Sequence, residues 1–168
     1  MFKKEIEIIN ILNDYYNLEL QAANMYLNYS TVINKLGYVH VAKFVKNLAD
    51  DKLEAHLSRI YDYFISISNE IIINEYAIPK KHAGDLSAKE LIKNMLNNEL
   101  ELRNIINNLA DFLLTKKDYE SFEFIQWFVK DSIKDINDVS DVLNYFESPN
   151  SNLLSIEAAT RHKIDSEK

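Results

Sequence analysis

The sequence predicts an all-α protein: an antiparallel four-helix bundle with one long crossover and a short fifth helix at the C-terminus. Three observations carry this. Glycine and proline number two each in 168 residues, too few for the turns of a sheet protein. Apolar residues recur at helical spacing through four stretches of roughly thirty residues. Two of the connections between these stretches are tight, whereas the one between the second and third takes about twenty residues, enough to run the length of a bundle and make those helices parallel.

The elements follow from local signals. A first helix begins near Glu5 and ends at Gly37, a C-cap glycine. A second runs from about Val39 to about Ser68. The helical period is then lost from Ile71-Ile72-Ile73 through Pro79 and Gly84, until Ser87-Ala88-Lys89-Glu90 opens a third helix as a capping box. That helix reads to about Leu114, and Asp118 caps a fourth that lasts to about Phe146, where Ser148-Pro149-Asn150 stops it. Leu153 to about Lys163 forms the last piece. At about 1.5 Å per residue the long helices span roughly 40 Å. A single domain over 1–168 is expected, with the bundle at about 5–147 and the short helix at about 153–163.

Composition excludes several classes. Apolar types make up 47% and charged types 27% of the chain, which is ordinary globular usage and neither disordered nor fibrous. With no cysteine, disulfides and thiolate metal sites are excluded and a cytoplasmic protein is expected. No run approaches the roughly 18 consecutive apolar residues of a membrane span, and Met1-Phe2-Lys3-Lys4-Glu5 does not read as a signal peptide. A net charge of −7 argues against nucleic acid as a partner and is compatible with cations.

Candidate functional residues are those that break the apolar stripes, because polar groups in a bundle core are costly unless paired or bound to something. The first stripe, Ile9, Leu12, Tyr16, Ala23 and Tyr26, passes through Glu19. The second, Val45, Ala49, Leu53, Ile60 and Phe64, includes His56. Glu99 lies at the centre of the third, which reads Ile92, Met95, Leu102, Ile106, Leu109 and Leu113. Ser132 interrupts the fourth, with Asp135 at its edge. Each interruption falls near mid-helix, so the four reach one level of the bundle. Carboxylates and an imidazole converging from separate helices suit iron, manganese or zinc, and inward Glu with Glu-x-x-His pairs build diiron bundles. Taken singly, a core Glu is more often snorkelling and a core His merely hydrogen-bonded.

Further segments sharpen the reading. Asn17-Leu18-Glu19-Leu20 with Tyr26, His56 with Arg59-Ile60-Tyr61-Asp62-Tyr63, and Asp118-Tyr119 leading to Phe124-Ile125-Gln126-Trp127-Phe128-Val129 resemble the first-, second- and fourth-helix motifs of the bacterial non-haem ferritins. The likeness covers nearly the whole chain. It implies a ferritin-like 24-subunit cage, homo-oligomeric or shared with another ferritin subunit, that takes up Fe(II), oxidises it at an intrasubunit diiron centre and stores ferric mineral. It would make Glu19 and His56 ligands of one iron and Glu99 with Asp135 ligands of the other, with Tyr26 a nearby redox or hydrogen-bonding residue.

The chain departs from that pattern where the chemistry is most demanding. The family's second-helix Glu-Glu-x-x-His reads Lys52-Leu53-Glu54-Ala55-His56 here, which puts Leu53 in the bridging place. Glu54 points elsewhere on an ideal helix, and only a one-residue register shift, as in a π-bulge, brings Asp51 or Glu54 closer. On the fourth helix Ser132 replaces the family's glutamine within Asp131-Ser132-Ile133-Lys134-Asp135. Lys52 and Lys134 are expected to be solvated or paired with Asp131 and Asp135. The sequence therefore predicts an iron-storage ferritin with an impaired or residual ferroxidase centre. The alternatives are a cage or helical-bundle subunit without such a centre, acting by co-assembly or as an interaction protein, and a DNA-protecting mini-cage, which the mixed-charge tail Arg161 to Lys168 disfavours. No haem is predicted, since Met25 and Met95 form no binding pattern, and His40, His82 and His162 are expected on the surface.

Overall fold

Two left-handed residues make the tight turns. Gly37, at φ +94°, is the residue type that adopts this conformation without penalty; it reverses the chain between α1 (Ile6–Lys35) and α2 (Val39–Asp51). Lys117, at φ +58°, does the same between α4 (Ala88–Thr115) and α5 (Tyr119–Glu147). In the computed structural model, which describes residues 4–75 and 82–166, α2 continues without a break through a π-helical turn, Lys52–His56, into α3 (Leu57–Ser66). Together these form the second bundle helix. A final helix, α6 (Leu153–Ser166), packs against α2 and α5. Among the described residues there is no strand, and no helix is long and apolar enough to cross a membrane.

The caps expected from the sequence are present. Ser87 accepts from the Glu90 N–H while the Glu90 carboxylate accepts from the Ser87 N–H, the reciprocal capping box. Asp118 accepts from the Ser121 N–H and also pairs with Lys4 at 2.7 Å. The N-terminus of α2 has no such local cap, since Tyr38 offers none. Glu157 of α6 supplies it from a distance, accepting from the His40 and Val41 N–H groups at 2.7 and 3.1 Å. A carboxylate there also suits the positive end of the helix dipole.

Two boundaries differ from the sequence reading. The second bundle helix stops at Ser66 because Ser68 turns left-handed at φ +54°. The last helix runs to Ser166, three residues past Lys163, with Ile164 buried against the bundle. Pro79 lies outside the described residues.

The crossover is anchored on α1 by two buried asparagines. Asn13 and Asn17 both donate to the Ile72 carbonyl, at 3.0 and 2.8 Å. Their side-chain oxygens accept from the N–H groups of Ile72 and Asn74, each at 2.8 Å. An extended segment without a strand partner thus has its backbone polar groups satisfied by side chains. Asn17→Ala should lower the unfolding free energy by about 1–3 kcal/mol, and hydrogen exchange at the Asn74 amide should accelerate before exchange in the helices does; unchanged exchange at Asn74 would contradict this anchoring.

Candidate functional site

The polar centre of the bundle is built around a π-turn. The Leu57 N–H bonds the Lys52 carbonyl five residues back, which widens the turn so that Lys52, His56 and Leu57 are all buried while Leu53 is only half-buried and Glu54 is exposed. Leu53 therefore does not hold the central position opposite Glu19 and Glu99. Lys52 does. Its side chain is 1% exposed, so of the two expectations, solvation or pairing with Asp131 and Asp135, solvation is corrected and the pairing with Asp135 is present.

The Lys52 ammonium lies between carboxylates from three other helices. Nζ is 3.0 Å from Glu19 Oε2, 3.2 Å from Glu99 Oε1 and 3.7 Å from Asp135 Oδ2. Two buried tyrosines complete the set. Tyr15 donates to Glu19 Oε1 at 2.6 Å. Tyr26 donates to Glu99 Oε1 in a short hydrogen bond and accepts from Asn98 at 2.9 Å. Tyr26 is thus a hydrogen-bonding neighbour of Glu99, and its ring centroid is 5.9 Å from Nζ.

Charges here are balanced by protein groups. Burial disfavours the charged form of Lys52, but Glu19 and Glu99 outweigh it and hold the ammonium protonated well above the ordinary lysine range. Burial likewise works against ionised Glu19, yet Lys52 and His56 keep its carboxyl well below the usual carboxylate range. At Asp135 the balance goes the other way. Desolvation, with Glu99 and Asp131 nearby, outweighs Lys52 and His56 and pushes it up to about 7.

His56 sits at the outer edge of this centre. Its ring is wedged edge-on against Trp127 and Phe128, with centroids 5.1 and 5.7 Å away. Nδ1 faces inward, 3.2 Å from Glu19 Oε1. Nε2 faces outward, 2.9 Å from Asp131 Oδ2, 3.5 Å from Asp51 Oδ2 and 4.0 Å from Asp135 Oδ2. Burial lowers the basicity of the ring, but the surrounding carboxylates, Glu19 foremost, push its pKa up to about 11. These carboxylates favour the imidazolium form of the ring.

The structure thus brings together Glu19, His56, Glu99, Asp135, Asp131 and Asp51, with Tyr26 beside them. It leaves out Glu54. Ser132 is buried but turned back on its own helix, donating to the Val129 carbonyl at 2.9 Å. Lys134 is exposed and pairs with Asp138 at 3.0 Å. Sequence reasoning missed Lys52 and Tyr15 as members of the centre. Both were signalled by spacing: Val45, Ala49, Lys52 and His56 follow i+4, i+3, i+4 along one face, as do Leu12, Tyr15 and Glu19 with i+3 and i+4.

Chemically, the centre offers carboxylate oxygens already engaged by an ammonium and two phenols. An ammonium has three donors and no lone pair for a metal. Removing it leaves like charges buried together, and breaking one side of a buried ion pair costs about 3–5 kcal/mol. Lys52→Met should therefore destabilise the protein by about that much in chemical denaturation, whereas the pair Lys52→Met with Glu19→Gln should regain more than half of the loss. Additive losses in the double variant would show that the two groups do not depend on one another.

Comparison with known proteins agrees with this geometry. Residues 9–148 match the family model of the ferritin-like domain. The crystal structure of M. penetrans ferritin is similar with a TM-score of 0.87 at 36% identity, over 95% of this chain and 97% of that one. An uncharacterized protein of Ureaplasma parvum serovar 3 is 33% identical over 171 residues, covering 98% of this chain and 99% of that protein. The bacterial non-heme ferritin of Escherichia coli O6:H1 is 30% identical over 125 residues, 74% of each chain. With four long helices, a long crossover between the second and third, and a core carboxylate on each of α1, α4 and α5, the chain belongs to the ferritin-like family.

Proposed function

We propose that this chain is the subunit of a cytoplasmic iron-storage cage of 24 subunits in which the bundle centre no longer oxidises Fe(II) as a diiron site. One observation carries the second half of this reading: the Lys52 ammonium stands 3.0 and 3.2 Å from Glu19 and Glu99, the position from which a diiron centre would draw its shared ligands. The donor set does not fit two iron ions. The residue at the family's bridging position is Leu53, the nearest inward group is a cation, and His56 Nδ1 faces Glu19 rather than a shared carboxylate.

The substitution is one of charge for charge. Two convergent carboxylates in an apolar bundle need cations, and a metal-binding bundle receives them from solution. Here Lys52 and His56 supply them within the chain, so the bundle folds and persists without metal. Tyr15 and Tyr26 take up remaining lone pairs, as a buried ion pair requires if it is not to cost more in desolvation than it returns.

Storage itself then rests on the shell rather than on the bundle interior. In this reading Fe(II) is cargo, oxidised by competent subunits that co-assemble with this chain or slowly on carboxylates of the shell. The family membership and the ferritin relatives support the storage role, and the acidic balance of −7 suits a surface that attracts cations.

Purified protein should elute as a particle of 24 subunits of 19.6 kDa, roughly 470 kDa together. Anaerobic loading with Fe(II) followed by rapid mixing with air should give no fast, saturable oxidation phase. Lys52→Glu, which converts the central cation into a carboxylate facing Glu19, His56 and Glu99, should introduce such a phase and raise the initial rate at least about tenfold, or about 1.4 kcal/mol in barrier. A fast phase in the wild type that Glu19→Ala abolishes would sink the proposal.

A further inference from the structure

With Lys52 paired to the inner carboxylates, the second ring nitrogen of His56 faces carboxylates of its own. The observed ring meets Glu19 through Nδ1 and presents Nε2 to two carboxylates on separate elements, Asp51 at the end of α2 and Asp131 on α5. The geometry points to a single divalent transition-metal site at the outer edge of the bundle, with His56 Nε2, Asp51 and Asp131 as its protein ligands. This rests on the reading of Lys52 given above.

Three features carry it. The first is spacing. Two ligands of a tetrahedral ion with bonds of about 2.0–2.1 Å lie about 3.3 Å apart. Nε2 is 2.9 Å from Asp131 Oδ2 and 3.5 Å from Asp51 Oδ2, and one oxygen from each carboxylate and the ring nitrogen all lie within 4.8 Å of one another. The two nitrogen–oxygen separations need only a few tenths of an ångström, and closing the two carboxylate oxygens from within 4.8 Å to about 3.3 Å takes side-chain movement of roughly an ångström.

The second is the support behind the ring. Nδ1 is buried and makes no hydrogen bond of good geometry, yet Glu19 Oε1 is 3.2 Å from it. A metal on Nε2 displaces that nitrogen's proton to solvent; the remaining ring proton belongs on Nδ1, and a slight ring rotation delivers it to Glu19. The result is the carboxylate–histidine–metal arrangement that fixes the tautomer and strengthens the ligand. Trp127 and Phe128 hold the ring plane from the sides.

The third is access and charge. The Asp51 side chain is 50% exposed and that of Asp131 18%, which leaves an open path and room for water in the remaining coordination positions. Asp135 Oδ2, 4.0 Å from Nε2, adds negative potential on the inner side. Lys134 opposes it, since its charge reaches Asp51, although its ammonium pairs with Asp138. One imidazole nitrogen with two carboxylate oxygens suits Zn(II), Fe(II) or Co(II) better than the all-oxygen preference of Ca(II) or Mg(II).

The test uses zinc and cobalt as probes on the full assembled protein. Calorimetric titration with Zn(II) should show one saturable site per subunit, weakened at least about tenfold by Asp131→Asn. Co(II) should give a visible d–d spectrum that excess zinc abolishes. In zinc-soaked crystals of the wild type, anomalous scattering should place the ion beside His56 Nε2, between Asp51 and Asp131. Absence of saturable binding, or binding that Asp131→Asn leaves unchanged, would overturn this inference while leaving the role of Lys52 intact. Zinc found instead between Glu19 and Glu99 would overturn both.

Discussion

The burial of one ammonium among three carboxylates governs the centre of this protein. Taking a lysine and two glutamates out of water carries a desolvation penalty of several kcal/mol per ion, which mutual attraction offsets only with close geometry and satisfied lone pairs. Both conditions hold. The ammonium is within 3.0–3.7 Å of Glu19, Glu99 and Asp135, Tyr15 donates to the other oxygen of Glu19, and Tyr26 donates to the Glu99 oxygen nearest the ammonium. Because these groups come from four different helical elements, the network also pins the register of each long helix against the others.

The rest of the fold serves that convergence. Long helices bring residues some eighty positions apart in sequence to one level, and the tight turns at Gly37 and Lys117 keep neighbouring helices antiparallel and aligned. Anchoring of the crossover by Asn13 and Asn17 holds α1 against the chain that connects the two halves of the bundle. A π-turn interrupts the second bundle helix where Lys52 and His56 both face inward. Local widening of a helix at such a place is a common device for re-aiming side chains at a site.

On the function proposed above, a metal-binding bundle and this one meet a single electrostatic need by different means. Carboxylates gathered in an apolar interior need positive charge close by. Metal ions supply it conditionally, according to availability, whereas a lysine supplies it permanently. The consequence for chemistry is direct, since an ammonium neutralises but neither ligates nor cycles between oxidation states. Histidine keeps its ligating capacity in such a centre only through the nitrogen that faces away from the ammonium.

Much of the architecture was legible in the sequence because it depends on local, periodic properties. The scarcity of glycine and proline, the 3.6-residue stripes, the Ser87 capping box and the Gly37 terminus each act within a few residues, and the helices lie where these signals place them. The mid-helix positions of Glu19, His56, Glu99 and Asp135 were legible for the same reason. What the pattern left open was which side chain occupies the point where they meet. Leu53 and Lys52 are adjacent, both compatible with the stripe of an ideal helix, and the choice turns on a widened turn in the second bundle helix. Only packing in three dimensions decides between hydrocarbon and ammonium there, because the energy of a buried charge depends on how many opposite charges reach it from other elements, and no stretch of sequence contains that sum.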